Sequence, residues 1–201
     1  EAIAVVFPFE PAAKNRDILY VVTKTLCGDS LHVFINHWTS RYGGYGATVP
    51  KRNYYAQVLR HCVDSLLSLY PLAKIIIMGD FNDYPTDESV CRSLGAADRA
   101  QTDTASLYNL MYRFLKMNNI GTHKHEDFWG CLDQIIVSPS LIDTSFSGIH
   151  IVNGEAHIFK EDFMVVPDEK YGGYKVFRTF LGPRYIGGYG DHLPVFIELK
   201  G

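Results

Sequence analysis

Four apolar runs in this chain stop or start on groups that are costly to bury. "LHVFINHW" runs into Asn36 and His37, and "IIIMGDFND" runs into Asp80 and Asn82. "CLDQIIVS" begins with Asp133, and "GGYGDHLPVFIEL" sets Asp191 and His192 just ahead of a further run. Asp and Asn oxygens are hard ligands suited to Mg²⁺ or Mn²⁺, and Mg²⁺ needs only one or two carboxylates when substrate phosphate and water complete its shell. A neutral His serves as a general base near pH 7, and a carboxylate beside it fixes its tautomer and stabilises the imidazolium. Together these types suit metal-assisted attack of water on a phosphate ester. They suit acyl transfer poorly, because no GxSxG elbow is present. Taken singly, Asp80 and Asn82 read as turn caps, His37 as an edge histidine on Trp38, and Asp191–His192 as a turn. Their joint occurrence at strand ends is what points to a site.

The elements that would position these groups follow from periodicity. Strand-like runs lie at Ala2–Phe7, Ile18–Thr25, Leu31–Asn36, Lys74–Met78, Gln134–Val137, Ile149–Ile151 and Val195–Leu199. Tyr55, Val58, Leu59, Cys62, Leu66 and Leu69 recur at helical spacing and predict an amphipathic helix through "PKRNYYAQVLRHCVDSLLSLYP", stopped by Pro71. A second helix is predicted within Ser106–Met117 on the stripe Leu107, Leu110, Met111 and Phe114, and a short one near Thr86. Tyr171–Tyr189, rich in glycine and aromatics, reads as a long surface loop. The order is that of a mixed α/β or α+β architecture in one domain spanning residues 1–201, with no repeat or linker.

With 201 residues, 47% of them hydrophobic and 20% charged, the chain has the composition of a folded domain and not of a disordered or coiled-coil chain. The net charge of −3 gives no global positive field, so a phosphate contact has to come from a local cluster. Cys27, Cys62, Cys91 and Cys131 form no CxxC pair, which argues against a zinc knuckle or a disulfide scaffold. The longest apolar runs fall far short of the roughly twenty residues a membrane helix needs. No segment marks an obligate protein partner. The chain opens without methionine on strand-like sequence, "EAIAVVFPFEPAAKNRDILYVVTKTL", as a fragment or processed chain would, and this leaves export by an upstream signal peptide open.

"INHWTSRYGG", "IIIMGDFNDYP", "LDQIIVS" and "GDHLPVFIEL", in that order, resemble the endonuclease/exonuclease/phosphatase superfamily of deoxyribonuclease-I-like phosphodiesterases, nearest its bacterial members with an NHW-SR-GG segment. The likeness runs from about Asp17 to Leu199. It implies a four-layer α/β/β/α sandwich. It also implies that His37 donates to the phosphate or assists the leaving group, and that Asp80 and Asn82 sit at the metal and scissile phosphate. Asp80 would further orient or deprotonate water, Asp133 would hold the imidazole of His192, and Asp191 would be a metal ligand with Asp80. Asn36 and Arg41 would contact substrate. The serine usual before the Asp-His pair is Gly190 here. The family's early Asn and metal-binding Glu have no counterpart ahead of His37, since Glu1 and Glu10 lack the setting. The resemblance therefore implies an incomplete sandwich, short by about a hundred N-terminal residues relative to the usual domain. It also implies a fragment that is inactive unless that segment is supplied.

Other charged segments read less sharply. Arg41, Lys51 and Arg52 flank the Gly- and Tyr-rich segment after His37, either as phosphate contacts or as solvated loop charges, with Arg41 nearest the motif. Arg178 and Arg184 in the aromatic loop read as solvated charges, and His123 and His125 of "GTHKHEDFWG" read as a strand and turn leading into "CLDQ". The leading function is a Mg²⁺-dependent nuclease or related phosphodiesterase. Its alternatives are a phosphatase on a small-molecule, lipid or inositol phosphate, and a degenerate module that binds phosphate without turnover. Weak overall basicity counts against tight duplex binding, and an upstream reading frame lacking the Glu would mark the degenerate module.

Overall fold

The computed structural model describes residues 16–101, 105–117 and 119–201, with the backbone of 2–5. Val6 and Phe7 of the expected first strand, and Glu1 and Glu10, lie outside the described residues. The chain builds one six-stranded sheet from β1 (Ala2–Val5), β2 (Ile18–Lys24), β3 (Ser30–His37), β4 (Lys74–Asp80), β5 (Tyr108–Asn109) and β8 (Asp133–Val137). Their order is β1-β2-β3-β4-β8-β5. β3 and β4 are parallel and joined through helix α1 (Tyr45–Leu69), whereas β4 and β8 are antiparallel. A parallel pair needs such a crossover, and the helix covers the face it crosses.

Side-chain alternation assigns the two faces. Ile75 and Ile77 of β4 and Ile136 of β8 point to α1, meeting Tyr55, Leu59 and Val63 with Phe34 and Phe81. Ile76 of β4 and Ile135 and Val137 of β8 point the other way, onto Leu141, Ile149 and Ile151. Each such aliphatic side chain contributes about 1.5–3 kcal/mol by burial. The second face is covered by two antiparallel pairs. β9 (His150–Ile151) runs with β16 (Leu199–Lys200), and β10 (His157–Ile158) with β15 (Val195–Phe196). The second layer is thus built of short pairs, and the predicted Val195–Leu199 strand is split between both of them.

Three helix predictions are corrected. α1 begins at Tyr45, ahead of Pro50, because a proline in the second turn of a helix forfeits one hydrogen bond without ending it. Its stripe runs on to Leu66, which packs partly buried on the core, and Leu69 is largely exposed. Ser106–Met117 is β5 followed by a 3₁₀ helix, Leu110–Lys116, whose start is capped by the Asn109 side chain accepting from the Met111 N–H. The predicted apolar stripe Leu107, Leu110, Met111 and Phe114 is nonetheless buried, so the burial pattern was legible and the helix type was not. The short helix near Thr86 is a π-type turn, Ser89–Ser93.

β6 (His123–His125) and β7 (Phe128–Gly130) form the hairpin expected before "CLDQ". Tyr171–Tyr189 is more ordered than a loop. It holds β12 (Tyr174–Val176), paired to β11 (Val165–Pro167), and the hairpin of β13 (Phe180–Leu181) with β14 (Arg184–Tyr185). Among the described residues no helix is long and apolar enough to cross a membrane.

Candidate active site

Register places three of the chemistry-bearing groups side by side. His37 of β3 pairs with Asp80 of β4, and Asp80 pairs with Asp133 of β8. All three share the face opposite α1, at the rim where β3 and β4 end and β8 begins. Gly79 makes this approach possible. Its φ is 129°, and a Cβ there would lie 1.9 Å from the Asn36 carbonyl oxygen, so the two strands close only around glycine.

His192 arrives from the segment before β15. The Leu193 N–H donates to the Thr122 carbonyl at 2.7 Å, which ties that segment to the β6–β7 hairpin. The Thr122 hydroxyl oxygen accepts from the Leu132 and Asp133 N–H groups, so one threonine fixes both halves of the site. His192 Nδ1 then lies 2.7 Å from Asp133 Oδ2. On the other side, His37 Nε2 is 3.6 Å from Asp80 Oδ2. Asp80 is held by Asn82, whose backbone N–H donates to Oδ1 at 2.8 Å and whose amide donates to Oδ2 at 3.0 Å. Asn82 has a φ of 52°, a region asparagine tolerates, and this tight turn aims its side chain back at the strand end.

The electrostatics divide the titratable groups. Burial and the facing Asp133 carboxylate push Asp80 up to about 6. Burial works against the His192 imidazolium, but the hydrogen bond and charge of Asp133, joined by Asp80 and Asp191, outweigh it and raise the pKa. Burial, then the charges of Arg16 and His192, lower that of His37. The two histidines are therefore tuned in opposite directions, His192 toward the proton-bearing form and His37 toward the neutral one.

Asp80, Asp133 and His192 bring ligand atoms within 4.8 Å of one another, and this is the group among the described residues that could hold a metal ion. Two partly buried carboxylates facing each other without a lysine or arginine between them are a donor set suited to a divalent cation. Asp191 is outside this trio. It is exposed, and it lines a neighbouring cavity.

Two expected substrate contacts are occupied elsewhere. Asn36 is buried, its amide donating to the Phe34 and Met78 carbonyls and its oxygen accepting from Trp38 Nε1 at 3.0 Å, so it braces the strand end. Arg41 donates through Nε to the Asn82 carbonyl at 2.6 Å and through its guanidinium to Asp87 at 2.7 Å, between the Tyr45 and Tyr84 rings. Arg52, read from sequence as a loop charge or a phosphate contact, is wholly buried, with Nε 2.8 Å from Asp83 Oδ2. His123, read from sequence as part of a strand and turn, has its ring centroid 4.8 Å from that of His192. Burial, with His192 and Arg178 nearby, lowers its pKa to about 4. The alternate histidines of "GTHKH" were the available signal.

The sheet, its order and its second layer of short antiparallel pairs define a deoxyribonuclease-I-like fold. The profile of the Endonuclease/Exonuclease/phosphatase family matches residues 1–201, and the chain belongs to that family. Among solved structures it resembles a mannosyl-6-phosphatase from Bacteroides thetaiotaomicron, with 19% identity, 92% of this chain and 57% of that one covered, and a TM-score of 0.56. An endonuclease/exonuclease/phosphatase family protein from the same organism gives 20% identity, 92% and 56% coverage, and a TM-score of 0.54. TDP2 from D. rerio, complexed with a single-strand DNA product, gives 16% identity, 100% and 67% coverage, and a TM-score of 0.56. The chain thus spans somewhat over half the length of the two Bacteroides structures. No curated protein matches it by sequence.

Proposed function

We propose that this protein hydrolyses phosphate esters with water as the nucleophile, at a Mg²⁺ or Mn²⁺ centre held by Asp80 and Asp133, with Asp191 as an added ligand once substrate is present. The observation that carries this reading is the cross-strand row His37–Asp80–Asp133 with His192 hydrogen-bonded to its end. A bound divalent cation would supply positive charge against the carboxylates and the phosphoryl oxygens. Every other role falls to side chains. Asp133 accepts from His192 Nδ1–H, which leaves Nε2 facing the site and favours an imidazolium that can stabilise a phosphoryl oxygen. Asp80, held by two donors from Asn82, is oriented to take a proton from water. His37, half exposed beside Asp80, is the group nearest a departing alcohol.

Membership of a family whose structural relatives include a phosphatase and a TDP2 captured with DNA supports phosphoester chemistry in general. A nuclease or other phosphodiesterase and a small-molecule phosphatase both draw on this catalytic set. The test is turnover of a panel of phosphate mono- and diesters by the full-length protein with and without Mg²⁺, alongside Asp80→Asn and His192→Ala. Each variant is expected to lose about a thousandfold or more in kcat with its fold intact. Near-normal rates in either one would overturn the assignment.

A further inference from the structure

Beside the cluster lies a cavity of about 320 Å³ with Asp191 and Arg178 in its lining. Arg178 was expected to be a solvated loop charge. Instead its guanidinium donates to His123 Nε2 at 3.3 Å, and His123 packs on His192. A chain of contacts therefore runs from the catalytic pair Asp133–His192 through His123 to a cation at the boundary of the cavity. Backbone bonds hold that cation in place. The Arg178 carbonyl accepts from the Gly188 N–H at 3.1 Å, and the Phe177 carbonyl accepts from the Tyr189 N–H at 3.0 Å.

The remaining charges of the cavity balance, Lys124, Lys170 and Lys175 against Glu126, Asp168 and Asp191, and Lys170 Nζ lies over the Tyr171 ring, 4.5 Å from its centroid. Lys124 Nζ donates to Asp168 Oδ2 at 2.9 Å and to the Gly172 carbonyl at 2.7 Å, and Lys175 Nζ lies 3.5 Å from the other Asp168 oxygen. Lys124 and Asp168 are nearly fully buried, so this ion pair is part of the wall and not a spare anion site. Glu126 and Asp191 add carboxylates to the same space, while Tyr171, Phe177 and Ile186 supply ring and aliphatic surface. A second phosphate group would meet two carboxylates here and find its cations already engaged. A ring with hydroxyl groups would find acceptors in the carboxylates and flat apolar surface to lie on.

Building on the phosphoesterase reading, we propose that this cavity is the subsite for the organic group of the substrate. That group is a single uncharged, hydroxyl-bearing ring and not a continuing nucleic-acid strand, and Arg178 contacts the phosphoryl group at the mouth. Arg178 is thus a binding residue for the phosphoryl group, and His123 is the residue that positions it.

Calorimetric titration of the full-length protein in Mg²⁺ with inorganic phosphate, glucose 6-phosphate in its non-hydrolysable phosphonate form and an eight-residue oligothymidylate with a non-hydrolysable backbone tests this. Wild type is expected to bind glucose 6-phosphate at least about tenfold more tightly than phosphate, a step of some 1.4 kcal/mol. Ile186→Trp, which fills the cavity, should bring that ratio near unity, and Leu181→Trp at the exposed rim repeats the test should the first variant not fold. Arg178→Ala should weaken both small ligands about tenfold, with Arg178→Lys recovering part of the loss. An unchanged ratio in a folded Trp variant would overturn the subsite. Oligothymidylate binding as tight as that of glucose 6-phosphate and indifferent to Ile186→Trp would overturn the substrate class. Asp80-dependent hydrolysis that persists in either case leaves the phosphoesterase reading standing, whereas wild type that neither binds nor hydrolyses any phosphate overturns both.

Discussion

The loop from Asp80 to Asp87 divides its carboxylates between two unlike surroundings. Asp83 is buried against Arg52, which lies 2.8 Å away with no exposed side-chain surface, and Asp83 Oδ2 also accepts from the Ser89 hydroxyl at 2.6 Å. Asp87 meets Arg41 at 2.7 Å and the Tyr84 N–H at 2.8 Å. Asp80 has no lysine or arginine partner among the described residues. It faces Asp133 across the strand pair, and its pKa rises to about 6. Residues three positions apart thus serve opposite ends. Paired carboxylates brace the loop, and the facing carboxylates keep a charge deficit that a cation and a phosphate can fill. The lesson is that carboxylate content alone does not mark a site, whereas a carboxylate left without a cation at a strand end does.

The comparison breaks most visibly at Arg52. Replacing it with methionine leaves buried Asp83 with only the partly exposed Arg41, 3.3 Å from its Oδ1, as a cationic partner, for an expected loss of about 3–4 kcal/mol in chemical denaturation. Pairing Arg52→Met with Asp83→Leu should recover most of that loss. A cost well under 1 kcal/mol for the single change would show that Asp83 is not braced as described.

The facing pair has the next largest signature, and its sign is opposite to that of an ordinary salt bridge. The raised Asp80 pKa means that the folded state holds the proton more tightly than the unfolded chain. In metal-free protein this contribution is therefore fully present below about pH 4 and is lost as pH rises through about 6, by roughly 3 kcal/mol. The difference in stability between wild type and Asp80→Asn, followed from acid to neutral pH, should carry this slope. Its absence would mean that Asp80 is compensated already. Arg41 gives the smallest effect. Arg41→Ala is expected to cost about 1 kcal/mol of stability through the loop it latches, without raising KM for a phosphate ester. A rise of about tenfold in KM would restore Arg41 as a substrate contact.

Much of this site was legible in sequence because apolar strands such as "AKIIIM" break off abruptly into polar groups, and that break survives folding intact. What could not be read was pairing across distance. That Asp80 sits opposite Asp133, and that Arg52 turns inward onto Asp83, depend on register and on α1 starting at Tyr45 ahead of Pro50. His123 and Arg178 lie on β6 and in the segment between β12 and β13, which have no periodic signal of a site. They meet near His192 because the Leu193 N–H bonds to Thr122. Helix type failed where Asn109 capped a 3₁₀ turn over a stripe that would have served an α-helix equally well.

Manganese binding followed by electron paramagnetic resonance tests the central claim most directly, with full-length wild type, Asp80→Asn and Asp87→Asn compared at neutral pH. If Asp80 and Asp133 form the cation centre while Asp87 only braces the loop, Asp80→Asn weakens Mn²⁺ binding at least about tenfold and Asp87→Asn leaves it near wild type. Equal affinity in wild type and Asp80→Asn, or a loss confined to Asp87→Asn, would contradict the account.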